Sequence, residues 1–331
     1  MKLFDLGEEQ INFMRQRKIA LTFSLVLIAL SLAGIFTKGF NLGIDFTGGT
    51  VIEVAYPEPV ELETVRQTLT QAGFDKAIVQ HFGSATDVLI RIQPVEGMTS
   101  AMVSNQVLDV LKKATPQVEL RRVEYVGPQV GDELTEDGAL AVLYALIGIL
   151  IYVAFRFEFR FALGSIAALV HDVVITLGVF AWTQAQFDLT VLAAILAVIG
   201  YSLNDTIVVF DRIRENFRLL RDKTPEEVIN IAVNQTLSRT IMTSLTTLLV
   251  VFALFFLGGE IIHNFSLALL VGIAVGTYSS IYVASSLALI LGVSKEDLMP
   301  PPKNDVDREA LEKEMQQAFL EAEAKRQKGE A

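Results

Sequence analysis

Residues 189–210 read Leu-Thr-Val-Leu-Ala-Ala-Ile-Leu-Ala-Val-Ile-Gly-Tyr-Ser-Leu-Asn-Asp-Thr-Ile-Val-Val-Phe, and this run decides what kind of protein the chain is. A helix needs about 20 mostly apolar residues to cross a hydrocarbon core of about 30 Å, and the run supplies that length. Its one ionisable acid, Asp205, sits about five residues from its end. A charge inside a spanning helix costs about 2.5–3.5 kcal/mol even on insertion scales, so its presence calls for a function.

Working outward, five more segments meet or approach the same length: 19–36, 139–155, 161–183, 240–257 and 265–291. Of the 331 residues, 52% are hydrophobic and 20% charged, with a mean hydropathy of +0.46, the composition of a membrane protein. The spacing predicts a polytopic α-helical membrane protein with six transmembrane helices. Ser31-Leu32-Ala33 is a passable signal-peptidase site, so a cleaved leader is the alternative reading of the first run. Asp5, Glu8 and Glu9 ahead of it favour a retained span.

Positive residues in the connections set the orientation. Residues 1–18 hold Lys2, Arg15, Arg17 and Lys18; the second-to-third connection holds Arg156 and Arg160; the 211–239 loop runs from Arg212 to Arg239 with six in all; the 292–331 tail has seven. The third-to-fourth and fifth-to-sixth connections have none. Both termini are therefore expected in the cytoplasm, with 37–138 outside.

That outer stretch switches between a period of two and a period of 3.6. Strands are expected at 50–56, 77–82, 87–93 and 118–126, a turn at Gly83-Ser84-Ala85-Thr86, and helices at 60–71 and 100–114. The order βαββαβ is the split βαβ, ferredoxin-like arrangement, an α+β extracytoplasmic domain. The charged tail carries a weak apolar stripe, Leu311, Met315 and Phe319, read as a solvated helix.

Several function classes fall away. A net charge of -11 and a pI near 4.9 argue against nucleic acid as a partner. Without cysteine there is no disulfide, CxxC pair or thiolate site, and His81, His171 and His263 are too scattered for a local metal cluster. No nucleophile, base and orienting group occur together, so no enzyme and no cofactor or metal is expected. The glycine-rich stretches 41–50 and 125–133 lack the P-loop Lys-Ser/Thr and read as tight turns fixing the outer domain to the membrane.

Two acids lie at membrane depth: Asp205, in Gly200-Tyr201-Ser202-Leu203-Asn204-Asp205-Thr206, and Asp172, which follows His171 in the third span. Arg239 opens the fifth span at the depth of Asp205, so the pair is expected to meet across antiparallel helices, as an ion-carrying or a static bridge; Arg239 snorkelling to head groups is the further alternative. Thr243 and Thr247 continue a wet stripe below it. Ala193, Ala197, Gly200 and Asn204 form a small-residue seam on the fourth span, turning Asp205 toward protein. Gly272–Gly276 is a GxxxG match read as packing, and His171 with Asp172 reads as bracing between helices.

Taken together, the motifs resemble the SecF family, the smaller membrane subunits of the bacterial SecD/SecF protein-export complex, within the RND superfamily. The carriers are 43–50 after the first span, 125–128 before the second, His171-Asp172, and 200–216. The resemblance implies a multi-pass inner-membrane protein working with SecD and the SecYEG translocon on a translocating polypeptide, driven by the proton motive force. It implies that Asp205 is the embedded acidic relay residue and Arg239 its basic partner; Ser202, Asn204, Thr243, Thr247, His171 and Asp172 are expected, from their own positions at membrane depth, to support the pair. A scaffold for a partner that does the coupling, and half of a small-molecule exporter, are the other expectations. One carboxylate with hydroxyls beside it serves proton or sodium equally.

Overall fold

In the computed structural model, which describes residues 11–95, 97–220 and 222–293, six helical stretches are long and apolar enough to cross a membrane. They are Met14–Lys38, Pro128–Arg156, Phe159–Thr183, Leu189–Leu219, Pro225–Leu257 and Glu260–Ile290. The first contains helix α1 (Arg17–Lys38), which runs into the turn of α2 (Ile44–Thr47). After the α+β insert with its helices α3 (Leu62–Gln71) and α4 (Ser100–Ala114) come α5 (Pro128–Arg156), α6 (Phe159–Thr183), α7 (Leu189–Leu219) and α8 (Pro225–Leu257). The sixth is compound: α9 (Glu260–Ser279), a π-helical turn at Ser280–Ala284, and α10 (Ser285–Ile290). The tail stripe at Leu311, Met315 and Phe319 and the acids Asp5, Glu8 and Glu9 lie outside the described residues.

The helices share burial unequally. Between 50% and 56% of the apolar window is buried in α6, α7 and the sixth stretch, against 11% to 17% in α1, α5 and α8. The first three form the bundle's centre; the others present large side chains such as Phe36, Phe155 and Leu257 outward, as a lipid-facing surface does.

Helix ends overrun the apolar runs. The connection 211–239, expected as a loop, is helical over 211–219 and 225–239. Thr224 and Glu227 form a capping box over Pro225, which starts α8 at once, and Val228, Ile229, Ala232 and Val233 bury against Ile213, Phe217, Phe13 and Met14. The apolar run marks only the part of a helix that is buried or in lipid; the amphipathic extensions need a capping and packing argument.

The insert is the expected ferredoxin-like unit. Strands β2 (Gly49–Ala55), β3 (Ile78–Phe82), β4 (Ser84–Ile92) and β5 (Glu119–Val126) form an antiparallel sheet in the order β3-β4-β2-β5. Ile52, Val54, Val88 and Ile90 face α3 and α4, whose Val65, Leu69, Val107 and Leu111 close the core. The hairpin is tighter than expected: Gly83 alone separates β3 from β4, with φ of 76° available at little cost to glycine.

Two links hold this unit to the helices. Strand β1 (Asn41–Leu42) pairs in parallel with β6 (Gln186–Phe187), between α6 and α7. Arg91, 5% exposed, donates from β4 to Asn41 Oδ1 at 3.2 Å, Leu42 O at 2.7 Å and Gln186 Oε1 at 2.6 Å. Burial pushes this guanidinium down from its usual range, against the charges of Asp188 and Asp45. The stretch 41–50 is the expected turn, with Gly48 at φ 65° and Gly49 at φ 125°. The stretch 125–133 corrects the expectation: Gly127 has an ordinary φ of -65° and caps α5, and Gly131 allows a close approach, since a Cβ there would lie 2.9 Å from Gly48 N.

Candidate functional site

Asp45 and Asp188 fix where α7 begins. Asp188 accepts from Val191 N at 3.0 Å as N-cap, and Asp45 Oδ2 accepts from Leu189 N at 3.1 Å. From that anchored end the helix carries Ser202 and Asp205, one turn apart, toward the bundle interior.

Asp205 is 6% exposed. Its Oδ1 accepts from Thr240 Oγ1 of α8 at 2.7 Å, and its Oδ2 accepts from Ser280 Oγ at the start of the π turn. Arg239 does not meet it. The guanidinium is exposed and makes no ion pair within 4 Å among the described residues, so the expected direct bridge is replaced by two hydroxyls. The cause is helix phase: Thr240, one residue and about 100° further around α8, points inward where Arg239 points out.

Asp172 is fully buried, at 0% exposure. Its Oδ2 accepts from Ser202 Oγ and from Ser279 Oγ at 2.7 Å; its Oδ1 lies 2.8 Å from His171 Nδ1. The His171 ring stacks on Tyr278, whose hydroxyl donates to Ala20 O of α1 at 2.8 Å. A third polar link joins Tyr201, Ser244 and Thr277, with hydroxyl contacts of 3.2 and 2.6 Å.

Of the sequence-selected residues, the structure brings together Asp172, His171 and Ser202, and sets Asp205 one turn from Ser202. Thr243 and Thr247 instead bond carbonyls of their own helix. Asn204 is exposed, and with it Ala193, Ala197 and Gly200, so the small-residue seam faces outward from this chain. Gly272 packs against Val198, as its GxxxG spacing suggested. Sequence reasoning missed Thr240, Ser279 and Ser280; the polar island Tyr278-Ser279-Ser280 within an apolar run was the signal for the last two.

Six apolar helices around two buried carboxylates, with a ferredoxin-like insert after the first, define a multi-pass helical membrane protein. The family model described as "Protein export membrane protein SecD/SecF, C-terminal" matches residues 106–294, and that of the SecD/SecF GG motif matches 33–59. Among similar curated proteins, the SecF protein translocase subunit of Vibrio alginolyticus is 55% identical over 92% of this chain and 96% of its own length. That of Pseudomonas aeruginosa is 52% identical over 89% of this chain and 96% of its own. The crystal structure of SecDF, a translocon-associated membrane protein from a Thermus species, superposes with a TM-score of 0.78 at 42% identity, over 86% of this chain. This chain spans 39% of that one. The chain belongs to the SecF family of protein translocase subunits.

Proposed function

We propose that this chain pairs with a SecD-type subunit in the bacterial inner membrane, and that loading and release of a proton at Asp205 powers polypeptide export through the SecYEG translocon. Both termini lie in the cytoplasm in this reading, with the ferredoxin-like unit on the outer face, where it handles the emerging polypeptide. The observation that carries it is the setting of Asp205: buried within a span, and contacted by the hydroxyls of Thr240 and Ser280 rather than by a cation. A hydroxyl donates to a carboxylate and accepts from a carboxylic acid, so this cage accommodates both protonation states, as an arginine bridge would not. Arg239 is the partner of the ionised state elsewhere in the cycle: a rotation of α8 by one residue, about 100°, exchanges Thr240 for Arg239 against the carboxylate.

The outward seam Ala193, Ala197, Gly200 and Asn204 supports assembly with a second polytopic chain, since small residues let helices approach closely. The test is gradient-driven export by the reconstituted complex. Asp205→Asn assembles but exports no faster with a gradient than without. Normal export by that variant contradicts the reading; loss of the complex itself favours a scaffold role; dependence on a sodium gradient instead of pH assigns the site to sodium.

A further inference from the structure

We infer that the His171–Asp172 pair is a second proton-holding site, coupled to Asp205 through the adjacent hydroxyls of Ser279 and Ser280. This rests on the reading of Asp205 as an ion-carrying carboxylate and adds a partner site to it.

Three observations carry the inference. First, Asp172 at 0% and His171 at 2% exposure share one short contact, and no Lys or Arg contacts either among the described residues. Second, His171 Nε2 is buried with no hydrogen-bond partner among the described residues. With Nδ1–H donated to Asp172, that nitrogen is a vacant proton acceptor. A proton arriving there gives imidazolium beside carboxylate, a change of the pair from -1 to 0 with no new group required.

Third, the two carboxylates are cross-braced twice. On α7, Ser202 donates to Asp172 and lies one turn before Asp205. On the sixth stretch, Ser279 donates to Asp172 and its sequence neighbour Ser280 donates to Asp205. The π turn begins at Ser280, and Ser285 Oγ donates to Ser280 O at 3.0 Å, five residues back. Single π turns inside α-helices are rare and recur at functional sites. Protonating Asp205 at Oδ2 reverses this contact: the acid donates to Ser280 Oγ, whose own hydrogen passes to Thr277 O, already 3.0 Å away, so the hydrogen-bond order beside Ser279 follows the charge on Asp205.

The ionisable groups around the pair are few. Helix α9 presents Tyr278, with Glu260 and His263 at its far end; the π turn presents Tyr282; α7 presents Asp205 and Tyr201. Helix α1 has no ionisable side chain between Lys18 and Lys38, α10 has none, and α5 offers only exposed Tyr144 and Tyr152 along its apolar length. Helix α8 adds Arg239, whose charge acts on Asp205, so the coupling of the pair to Asp205 runs beside that of Asp205 to Arg239.

The decisive variant is Ser279→Ala, which touches Asp172 and not Asp205. In the reconstituted complex at a fixed gradient, the pH of half-maximal export shifts by about one unit, the scale of coupled titrations. Ser279→Thr, which keeps the hydroxyl, restores the wild-type profile. Asp172→Asn shifts the profile in the same sense; should that variant fail to assemble, the Ser279 pair decides alone. Profiles of Ser279→Ala and Asp172→Asn that superimpose on wild type, with Asp205→Asn inactive, overturn the second site and leave the first standing. An active Asp205→Asn overturns both.

Discussion

Asp205 and Arg239 lie on neighbouring helices without touching: Thr240, the residue after Arg239, holds the carboxylate at 2.7 Å while the guanidinium is exposed. The proposed function divides support and energy coupling between these adjacent residues: Thr240 holds Asp205 in this state, and Arg239 meets it in another.

Replacing Thr240 by valine keeps the shape and leaves Asp205 Oδ1 without a donor, a loss of about 1.5–3 kcal/mol for a hydrogen bond to a charged group. Thermal unfolding of the purified chain should shift down by several degrees. Arg239→Gln should stay within about 0.5 kcal/mol of wild type in the same assay, as exposed substitutions do, yet lose gradient-driven export. Equal destabilisation by both would place Arg239 in the site.

Arg91 links the ferredoxin-like unit to β1 and β6 through three acceptors. Arg91→Leu takes this donor from Leu42 O, Asn41 Oδ1 and Gln186 Oε1 while the core around Ile52, Val54 and Leu69 stays intact. Limited proteolysis should then cut at 39–48, with the 49–126 unit surviving as a resistant fragment. Arg91→Lys keeps the charge but loses the fork, and should fall between the two.

Gly131 and Gly48 meet where α5 crosses the turn after α2. A valine at 131 would place its Cβ 2.9 Å from Gly48 N, backbone that cannot swing aside. The expected cost is about 1–3 kcal/mol, the range for overpacking, read as a lower unfolding temperature. Gly48→Ala adds the strain of φ 65° and should be at least as damaging.

Gly200 is the contrasting case, since a Cβ there meets nothing within 4 Å among the described residues. Gly200→Leu should leave the isolated chain's unfolding temperature unchanged and lower the yield of SecD-type partner recovered with it. An unchanged yield would place the partner on another face.

The six spans and the βαββαβ unit were legible because both rest on local periodicity: 20-residue apolar runs, and alternation such as Thr50 to Tyr56. Asp205 and Asp172 stood out by the cost of their placement alone. Their partners did not, because Thr240, Ser279 and Ser280 are ordinary helix residues until helix phase turns them inward. The same phase hid the exposure of Arg239, which depth and charge had matched to Asp205. Asp45 was hidden for a different reason: it caps a helix begun 144 residues later, a contact that no local pattern records.

The most direct test of a proton-carrying Asp205 is export by the reconstituted complex with and without a protonophore. Wild type should slow when the gradient is dissipated, and Asp205→Asn, assembled to the same yield, should export at the same low rate in both conditions. A variant that exports at the wild-type rate and slows equally with the protonophore would show that the proton passes elsewhere.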